Sequence, residues 1–366
     1  MKKYANFISA KNSVSIVTSN FFSPKICIMN IAKNFSLTRF NTFAVNASAK
    51  AFVNAKDEDE MFEILSAEEL KPYPKFILGG GSNVLFTKDY EGLVIKNSIP
   101  GIEIIKEDES SAIIEAGAGI NWNELVNYCV DQNLGGIENL ALIPGTVGAA
   151  PIQNIGAYGE ELSETFHSLR GFYIDTVKPA IFYKSDCSFG YRNSIFKNEL
   201  KNRFVVTKVQ LMLNKNPEVR TGYGNIRDEL EKTEKSSYSI KDVRDAVVKI
   251  RQEKLPDPAV TGNAGSFFKN PEIRPEQYNL LKENYPDIKA YPLDNGNIKL
   301  PAAWLIDRAG WKGFRKGNTG THSRQALVIV NYGNASGEEI LHFAKEIKRS
   351  VYEKFEVILE EEVNII

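Results

Sequence analysis

The chain has 366 residues, of which 43% are hydrophobic and 25% are charged, and its formal net charge is −1 at pH 7. This length predicts two or three domains with a sizeable core, and the composition is typical of an ordinary globular protein. A net charge near zero provides no global field for nucleic acid or anionic lipid, so neither is expected as a partner. Three cysteines and three histidines lie far apart, which predicts no metal site.

Residues 1–34 are predicted to be an extension in front of the folded domains. Lys2 and Lys3 resemble the start of a signal peptide, but polar residues such as Asn6 interrupt any apolar run. Two interpretations stay open: a poorly ordered tail, or a start site assigned upstream of Met29. Because no targeting signal is recognised, a cytoplasmic location is expected.

Apolar patterning predicts short strands and two helices in residues 51–131. The helices are predicted from capping residues, Asp57 with Glu60 and Asn121 with Glu124. The strands are predicted at 51–54, 76–78, 93–96, 102–106 and 112–116.

The uncharged stretch 139–159 is the feature around which the rest of the sequence is interpreted. Its four glycines and two prolines exclude a continuous helix, and with it a membrane span. Apolar residues indicate burial, and a buried irregular backbone has amide groups that need partners. A cofactor with phosphates and a flat ring would supply such partners.

The second half of the chain mixes strands and helices without a strict alternation, which predicts an α+β fold. Residues 214–237 are predicted to be a loop, and Ser239 with Asp242 predicts a helix that ends near the boundary 255–258. Strands are predicted at 166–174, 180–183, 204–213, 326–331 and 356–363, and helices at 275–284, 302–309 and 338–355.

Residues 79–85 follow a predicted strand, which is where a phosphate-binding loop would lie. The segment is not a Rossmann fingerprint, because Val84 replaces the third glycine, and it is not a P-loop, because no Gly-Lys-Ser/Thr follows. A tight turn is the alternative for an isolated glycine triplet. Ser82 and Asn83, taken together with the stretch 139–159, favour a ligand-binding loop.

Residues 263–270 place small residues and two aromatics around Ser266. A turn into a buried strand is the alternative interpretation. A serine hydrolase is disfavoured because Phe268 stands where a nucleophile elbow has glycine, and nothing in the sequence connects His322 with Ser266.

Charged residues supply further candidates. Arg192 lies among aromatics, although a surface loop would explain it equally well. Arg251 and Lys254 complement a helix dipole or hold a diphosphate. In Glu360-Glu361-Glu362, strand alternation separates Glu361 from its neighbours, and a buried glutamate there would need a partner such as Arg192.

These segments, in this order, resemble the bacterial UDP-N-acetylenolpyruvoylglucosamine reductase family, flavoenzymes that make UDP-N-acetylmuramate in peptidoglycan precursor synthesis. The similarity runs from Phe40 to Val363 and is most specific in 152–159 and 262–270. It implies a vanillyl-alcohol-oxidase/p-cresol-methylhydroxylase-type FAD-binding fold with a C-terminal α+β substrate-binding domain. The implied domains are 35–255, with subdomains 35–105 and 106–255, and 256–366, whose last strand returns to the FAD domain.

The resemblance also implies FAD as cofactor, NADPH as co-substrate, UDP-N-acetylglucosamine enolpyruvate as substrate, and a monomer. Hydride would pass from flavin N5 to the vinyl carbon, Arg192 and Glu362 would stabilise the enolate, and Ser266 would protonate the adjacent carbon. Glu361 stands where relatives commonly have a proline. The implied substrate contacts are Tyr223, which covers the substrate in a longer subtype, and Lys254, Asn270 and Gln325.

The implied cofactor contacts belong to the two uncharged segments. They are Gly79, Gly80, Gly81, Ser82, Asn83, Val84, Leu85, Pro144, Gly145, Thr146, Gly148, Ala149, Ile155 and Gly156.

Two other functions would use the same fold. Another FAD oxidoreductase of the same fold is disfavoured by Ser266 and Tyr223 in their motifs. A non-catalytic sugar-nucleotide-binding protein is disfavoured because Ser266, Arg192 and Glu362 are all present.

Overall fold

The structure is a computed structural model that describes residues 29–366. Residues 1–28, to which most of the predicted extension belongs, lie outside the described residues. The strands of the described part are, in chain order, β1 (Ala32–Ser36), β2 (Ser48–Ala55), β3 (Lys75–Leu78), β4 (Val84–Leu85), β5 (Tyr90–Asn97), β6 (Ile102–Glu107), β7 (Ser111–Gly117), β8 (Gly156–Ala157), β9 (Glu160–Glu161), β10 (Phe166–Tyr173), β11 (Pro179–Tyr183), β12 (Phe204–Asn214), β13 (Gly262–Ser266), β14 (Glu272–Ile273), β15 (Tyr291–Pro292), β16 (Ile298–Lys299), β17 (Arg315–Lys316), β18 (Thr319–Thr321), β19 (Val328–Asn331) and β20 (Asn364–Ile365).

Three of the predicted helices begin at side chains that cap their first amides. Asp57 accepts a hydrogen bond from the Glu60 amide, and Asn121 accepts from the amides of Asn123 and Glu124. Ser239 forms a capping box with Asp242, as predicted. The helices are α1 (Glu58–Ser66), α2 (Trp122–Asp131), α3 (Leu162–Thr165), α4 (Ile226–Glu231), α5 (Ile240–Lys254), α6 (Pro275–Asn284), α7 (Ala302–Arg308) and α8 (Gly337–Phe355).

Three larger sheets organise the chain into the predicted α+β fold. The first is mixed, with strand order β1-β2-β5-β3, and the second is antiparallel, with order β11-β10-β12-β7-β6. The third, in the last third of the chain, is antiparallel with order β13-β19-β18-β17. Within residues 29–366, no helix is long and apolar enough to cross a bilayer.

Two predicted elements are wrong. Residues 214–237 are not all loop, because α4 forms there and buries Ile226 and Leu230, which lie one helical turn apart. Residues 356–360 alternate between exposed and buried, but within residues 29–366 the only bridge formed by 356–363 is between Glu361 and Phe268. Regular pairing starts later, where β20 runs parallel to β4. The predicted alternation is also wrong within the glutamate run, because the Glu362 side chain is 14% exposed while that of Glu360 is 71% exposed.

The buried apolar residues form three clusters, and one of them joins distant parts of the chain. That cluster contains residues 37–94 of the first sheet region together with residues 264–363 of the last third. A second cluster lies under the five-stranded sheet, and a third lies between the first sheet and α1. The first sheet therefore depends on the C-terminal third for one of its two buried faces.

A polar network joins α1 to the five-stranded sheet. Arg170 on β10 binds Glu58 on α1 at 3.0 Å and Glu115 on β7. Thr207 and Lys208 on β12 bind the same two carboxylates. Burial raises the pKa of Glu115, but hydrogen bonds from Gln210, Lys208 and Arg170 outweigh that effect, so the pKa lies below its usual value. The network fixes α1 against the five-stranded sheet.

We expect Arg170→Met to lower the free energy of unfolding by about 2 kcal/mol, because the buried Glu115 carboxylate loses a charged partner. Since its folded pKa is lowered, Glu115 stabilises the fold above the usual carboxyl pKa of about 4.3, and this contribution disappears as pH falls through the lowered value. The difference between the two proteins in urea unfolding should therefore shrink at acid pH.

The matched control is Arg349→Met, which removes an exposed pair with Glu353 at 3.7 Å. It should change the free energy of unfolding by less than about 0.5 kcal/mol. Equal losses in the two variants would contradict a structural role for the Arg170 network.

Candidate active-site cleft

A cleft of about 1310 Å³, including its open mouth, lies between the first sheet and the five-stranded sheet. Its floor is formed by the glycine loop (residues 79–83) and by residues 143–155 of the uncharged stretch. Leu85, in contrast, is fully buried in the core, and Gly156 lies just beyond the lining. The predicted cofactor positions that line the cleft are Gly79, Gly80, Gly81, Ser82, Asn83, Val84, Pro144, Gly145, Thr146, Gly148, Ala149 and Ile155.

The glycines bring these two segments into direct backbone contact. A Cβ on Gly80 would lie 2.9 Å from the Gly145 Cα, and one on Gly79 would lie 2.6 Å from the Thr146 Oγ1. Gly81 has φ +68°, and a Cβ there would collide with the Phe40 carbonyl. The glycines thus serve close packing between chain segments, in addition to leaving the cleft open.

Several hydrogen-bond donors beside the cleft have no protein acceptor in the described part of the chain and are suited to an anionic ligand. The amides of Gly80, Gly81, Ser82 and Asn83 donate to no acceptor within residues 29–366. The Thr146 Oγ1 is buried and also lacks a partner in this part of the chain. A run of free amides beside a free hydroxyl fits the diphosphate of a dinucleotide, because such groups pair with phosphate oxygens.

Asn83 connects the glycine loop to two other parts of the site. Its Nδ2 donates to the Gln153 Oε1 at 2.8 Å and to the Glu362 carbonyl at 3.2 Å. Its own carbonyl accepts from the backbone and side chain of Asn364. One side chain therefore holds the loop, the uncharged stretch and the chain's last segment together.

Arg192 is paired with one glutamate of the three in the C-terminal run. Its Nε lies 3.0 Å from the Glu362 Oε1, and its Nη2 donates to the Gly156 carbonyl at 2.6 Å. Glu360 binds Lys269 and Glu361 binds Lys348 instead. The predicted need of a buried glutamate for Arg192 is therefore met by Glu362.

The Arg192 turn is held in an unusual backbone conformation. Arg192 has φ +51°, and Gly190 and Asn193 exchange two backbone hydrogen bonds across it. A non-glycine residue in this region costs energy and requires support from its surroundings. The turn thereby directs Arg192 inward onto Gly156 and Glu362.

Burial raises the pKa of Glu362, while the charges of Arg192, Lys197 and Lys269 act in the opposite direction. Burial also lowers the pKa of Lys197, which donates to the Arg192 carbonyl and lines the cleft. The carboxylate thus sits among several cations in a shielded place.

Ser266 lies at the end of β13, on the segment that pairs with the glutamate run. The next residue, Phe267, accepts the Glu362 amide at 2.8 Å. Gly265 has φ +69°, and the pairing of β13 with β19 shifts between Asn263 and Ser266. The Ser266 hydroxyl is half-buried and makes no hydrogen bond within residues 29–366.

The four predicted substrate contacts are dispersed. Asn270 caps α7 by accepting the Ala302 amide. Tyr223 is 54% exposed. The Gln325 side chain accepts the nearby Leu327 amide, and the Lys254 side chain is exposed without a hydrogen bond or ion pair in the described part of the chain.

Arg251 is better placed than Lys254, although sequence reasoning treated the two alike. Its Nε is buried without a partner among residues 29–366. Burial lowers its pKa, nearby Arg192 adds to that effect, and Tyr158 opposes it. Helical spacing could have predicted the burial of Arg251, because Arg251 lies one turn after the buried Val247. Lys197 was also missed, and only its position five residues after Arg192 could have suggested it.

Comparisons with known proteins agree with the geometry. Residues 257–366 match the family described as UDP-N-acetylenolpyruvoylglucosamine reductase, C-terminal domain, and residues 49–174 match the family described as FAD binding domain. The chain is 48% identical to the UDP-N-acetylenolpyruvoylglucosamine reductase of Flavobacterium johnsoniae over 92% of this chain and 100% of that protein. It is 49% identical to the corresponding protein of Amoebophilus asiaticus, with the same coverage of 92% and 100%.

A solved structure supports the fold. The crystal structure of UDP-N-acetylenolpyruvylglucosamine reductase from Thermus caldophilus is similar with a TM-score of 0.63 and 24% identity, covering 92% of this chain and 99% of that chain. The predicted fold class, an FAD-binding domain of the vanillyl-alcohol-oxidase type followed by a C-terminal α+β domain, is confirmed.

We expect Gly81→Ala to displace the glycine loop, because its Cβ would meet the Phe40 carbonyl in addition to the strain of a positive φ. FAD retained through purification, measured by visible absorbance, should fall about tenfold or more, which is at least about 1.4 kcal/mol of binding. Gly101→Ala is the control, since Gly101 has φ +104° but nothing within 4 Å of the added Cβ. Full FAD content in Gly81→Ala would contradict the placement of the cofactor.

Proposed function

The chain belongs to the UDP-N-acetylenolpyruvoylglucosamine reductase family, flavoprotein oxidoreductases of peptidoglycan precursor synthesis, and we propose how its residues divide the reaction. The substrate is the enolpyruvyl ether of UDP-N-acetylglucosamine, and the reductant is NADPH. The observation that supports this assignment best is the shielded Arg192–Glu362 pair, whose Glu362 amide donates to the carbonyl of Phe267, the residue next to Ser266.

FAD is held by the glycine loop and by residues 144–149 of the uncharged stretch. The free amides of residues 80–83 and the unpartnered Thr146 hydroxyl are suited to its diphosphate. When bound, FAD supplies the hydride that it has taken from NADPH. Of the remaining predicted contacts, Gly156 accepts a hydrogen bond from Arg192 and so links the segment that would hold the cofactor to the catalytic residues.

Arg192 and Glu362 stabilise the charge that develops on the substrate. Reduction of the enolpyruvyl group moves negative charge toward its carboxylate, and a preorganised guanidinium there lowers the barrier. Glu362 orients Arg192 through the 3.0 Å contact with Nε, while Gly156 holds Nη2. Because both anchors are already in place, little reorganisation is needed when charge develops.

Ser266 donates the proton that completes the reduction. A serine hydroxyl is a weak acid, but an enolate is basic enough to take its proton. The hydroxyl is free of other hydrogen bonds within residues 29–366, so it is available to a substrate.

Substrate binding uses the dispersed contacts around the catalytic residues. Lys254, Asn270 and Gln325 hold the sugar nucleotide, and Tyr223 covers it, as in the longer subtype of the family. Arg251 adds a buried positive charge near Arg192, where no acidic partner in the described residues neutralises its Nε. An anionic substrate is the partner that such a charge requires. The protein is proposed to act as a cytoplasmic monomer.

We expect Ser266→Ala to leave reduction of FAD by NADPH intact, because no proton from Ser266 enters that half-reaction. Reduction of the sugar nucleotide should fall by about 10²–10⁴-fold. Stopped-flow absorbance separates the two half-reactions. Equal losses in both would argue against proton donation by Ser266.

We expect Arg251→Met to have opposite effects on stability and on substrate binding. Removing a buried unpaired charge should leave the free energy of unfolding of the FAD-loaded enzyme unchanged or raise it by about 1 kcal/mol. The KM for the sugar nucleotide should rise about tenfold or more, since a charged hydrogen bond is lost.

The control for stability is Lys254→Met, at the exposed end of the same helix. It should change the free energy of unfolding by less than about 0.5 kcal/mol. A loss of stability in Arg251→Met without any change in KM would assign Arg251 to the fold and not to the substrate.

A further inference from the structure

A short hairpin links Arg192 to the segment that carries Tyr223. Strands β8 and β9 pair as Gly156 with Glu161 and Ala157 with Glu160, which leaves Tyr158 and Gly159 as the turn. Both turn residues have positive φ, +51° and +85°, as a type I′ turn requires. We call residues 156–161 the Tyr158 hairpin and residues 217–224 the Tyr223 arm.

The hairpin is attached to Arg192 at its base and to the arm at its tip. The Gly156 carbonyl accepts from Arg192, as described above. At the tip, a Cβ on Gly159 would lie 3.2 Å from the Tyr223 Cβ, so Tyr223 rests directly on the turn. Gly224 lies against the ring of Tyr158 in the same way.

Arg220 joins the arm to the hairpin and to α3. Its Nη1 lies 2.7 Å from the Glu160 Oε2 and 2.6 Å from the Glu164 Oε2. The Glu160 side chain is only 9% exposed, whereas that of Arg220 is 64% exposed. Asn139 adds a neutral bridge, because its Nδ2 donates to the Tyr158 and Arg220 carbonyls, both at 3.2 Å.

The rest of the arm has few polar attachments. Within residues 29–366, no amide of residues 218–224 donates a hydrogen bond. Val219 packs on the apolar cluster under the five-stranded sheet, but it lies four residues before Tyr223. The side chain of Arg220 is therefore the nearest charged anchor to Tyr223.

The buried Glu160 carboxylate is stabilised by a cation of the Tyr223 arm. A buried carboxylate is costly unless a cation pairs with it, and the arm provides that cation. Burial and the neighbouring Glu164 raise the pKa of Glu160 to about 7 even though Arg220 acts in the opposite direction. Removal of Arg220 would leave two carboxylates facing each other, so the arm would lose its electrostatic reason to stay closed.

We propose that Arg220 is a positioning residue that holds the Tyr223 arm on the Tyr158 hairpin and so places Tyr223 over the substrate. This inference rests on the proposed function, in which Tyr223 covers the sugar nucleotide. In this proposal Arg220 affects the substrate only through Tyr223.

The kinetic test compares Arg220→Gln with Arg227→Gln in the FAD-loaded enzyme. Arg227 lies on α4 and has only an exposed contact with Glu231 at 3.9 Å, so it is a matched control. In Arg220→Gln, the KM for the sugar nucleotide should rise about three- to tenfold, while reduction of FAD by NADPH is unchanged. Arg220→Lys should restore part of the affinity, because one ammonium reaches one carboxylate but not both.

A double-mutant cycle tests whether Arg220 acts through Tyr223. In a Tyr223→Ala background, Arg220→Gln should cause no further rise in KM. Additive effects would overturn the proposal, and so would an unchanged KM in the Arg220→Gln single variant.

A second readout does not depend on catalysis. Chymotrypsin cleavage after Tyr223, followed by mass spectrometry, should be about three- to tenfold faster in Arg220→Gln than in the wild type and unchanged in Arg227→Gln. Unchanged cleavage in Arg220→Gln overturns the proposal. If the wild type fails to reduce the sugar nucleotide, the proposed function fails, whereas attachment of the arm is still decided by this cleavage rate.

Discussion

The close approach of the glycine loop to residues 144–149 is the constraint on which the site depends. Gly80 lies against Gly145, and Gly79 lies against Thr146, at distances that exclude any side chain. The amides of residues 80–83 nevertheless donate to no acceptor within residues 29–366. The amides left over line one cleft, and the same small residues that permit the contact create the binding surface for an anion.

Charge in the site is arranged asymmetrically. Arg192 and Lys197 lie near one carboxylate, Glu362, and the Nε of Arg251 has no acidic partner in the described residues. Taking cations out of water is unfavourable unless an anion compensates them. The excess of positive charge therefore prepares the site for a substrate that carries both a diphosphate and a carboxylate, and it explains why Glu362 alone does not neutralise the cluster.

The sequence predicted those features that depend on local chemistry. Caps at Asp57, Asn121 and Ser239 marked helix starts because the capping bond is made within a few residues. The strand predicted at 356–363 failed because a strand needs a partner, and the sequence does not say which strand lies beside it. The need of a buried glutamate for Arg192 was foreseen, but the choice of Glu362 required the contact between segments far apart in the chain. Arg251 and Lys254 differ by only three positions, and their different burial follows from the direction in which α5 faces the core.

The shared core of residues 37–94 and 264–363 has a consequence for synthesis of the protein. During translation, the first sheet leaves the ribosome long before the segment that covers its second face. The apolar face of that sheet stays exposed until the last third of the chain has been synthesised. Such exposure slows folding and favours transient association with chaperones. The five-stranded sheet has a core made of residues 112–250 and has no such delay. The side of the cleft formed by the five-stranded sheet can therefore fold before the side formed by the first sheet is complete. Binding of the cofactor then follows synthesis of the last third of the chain.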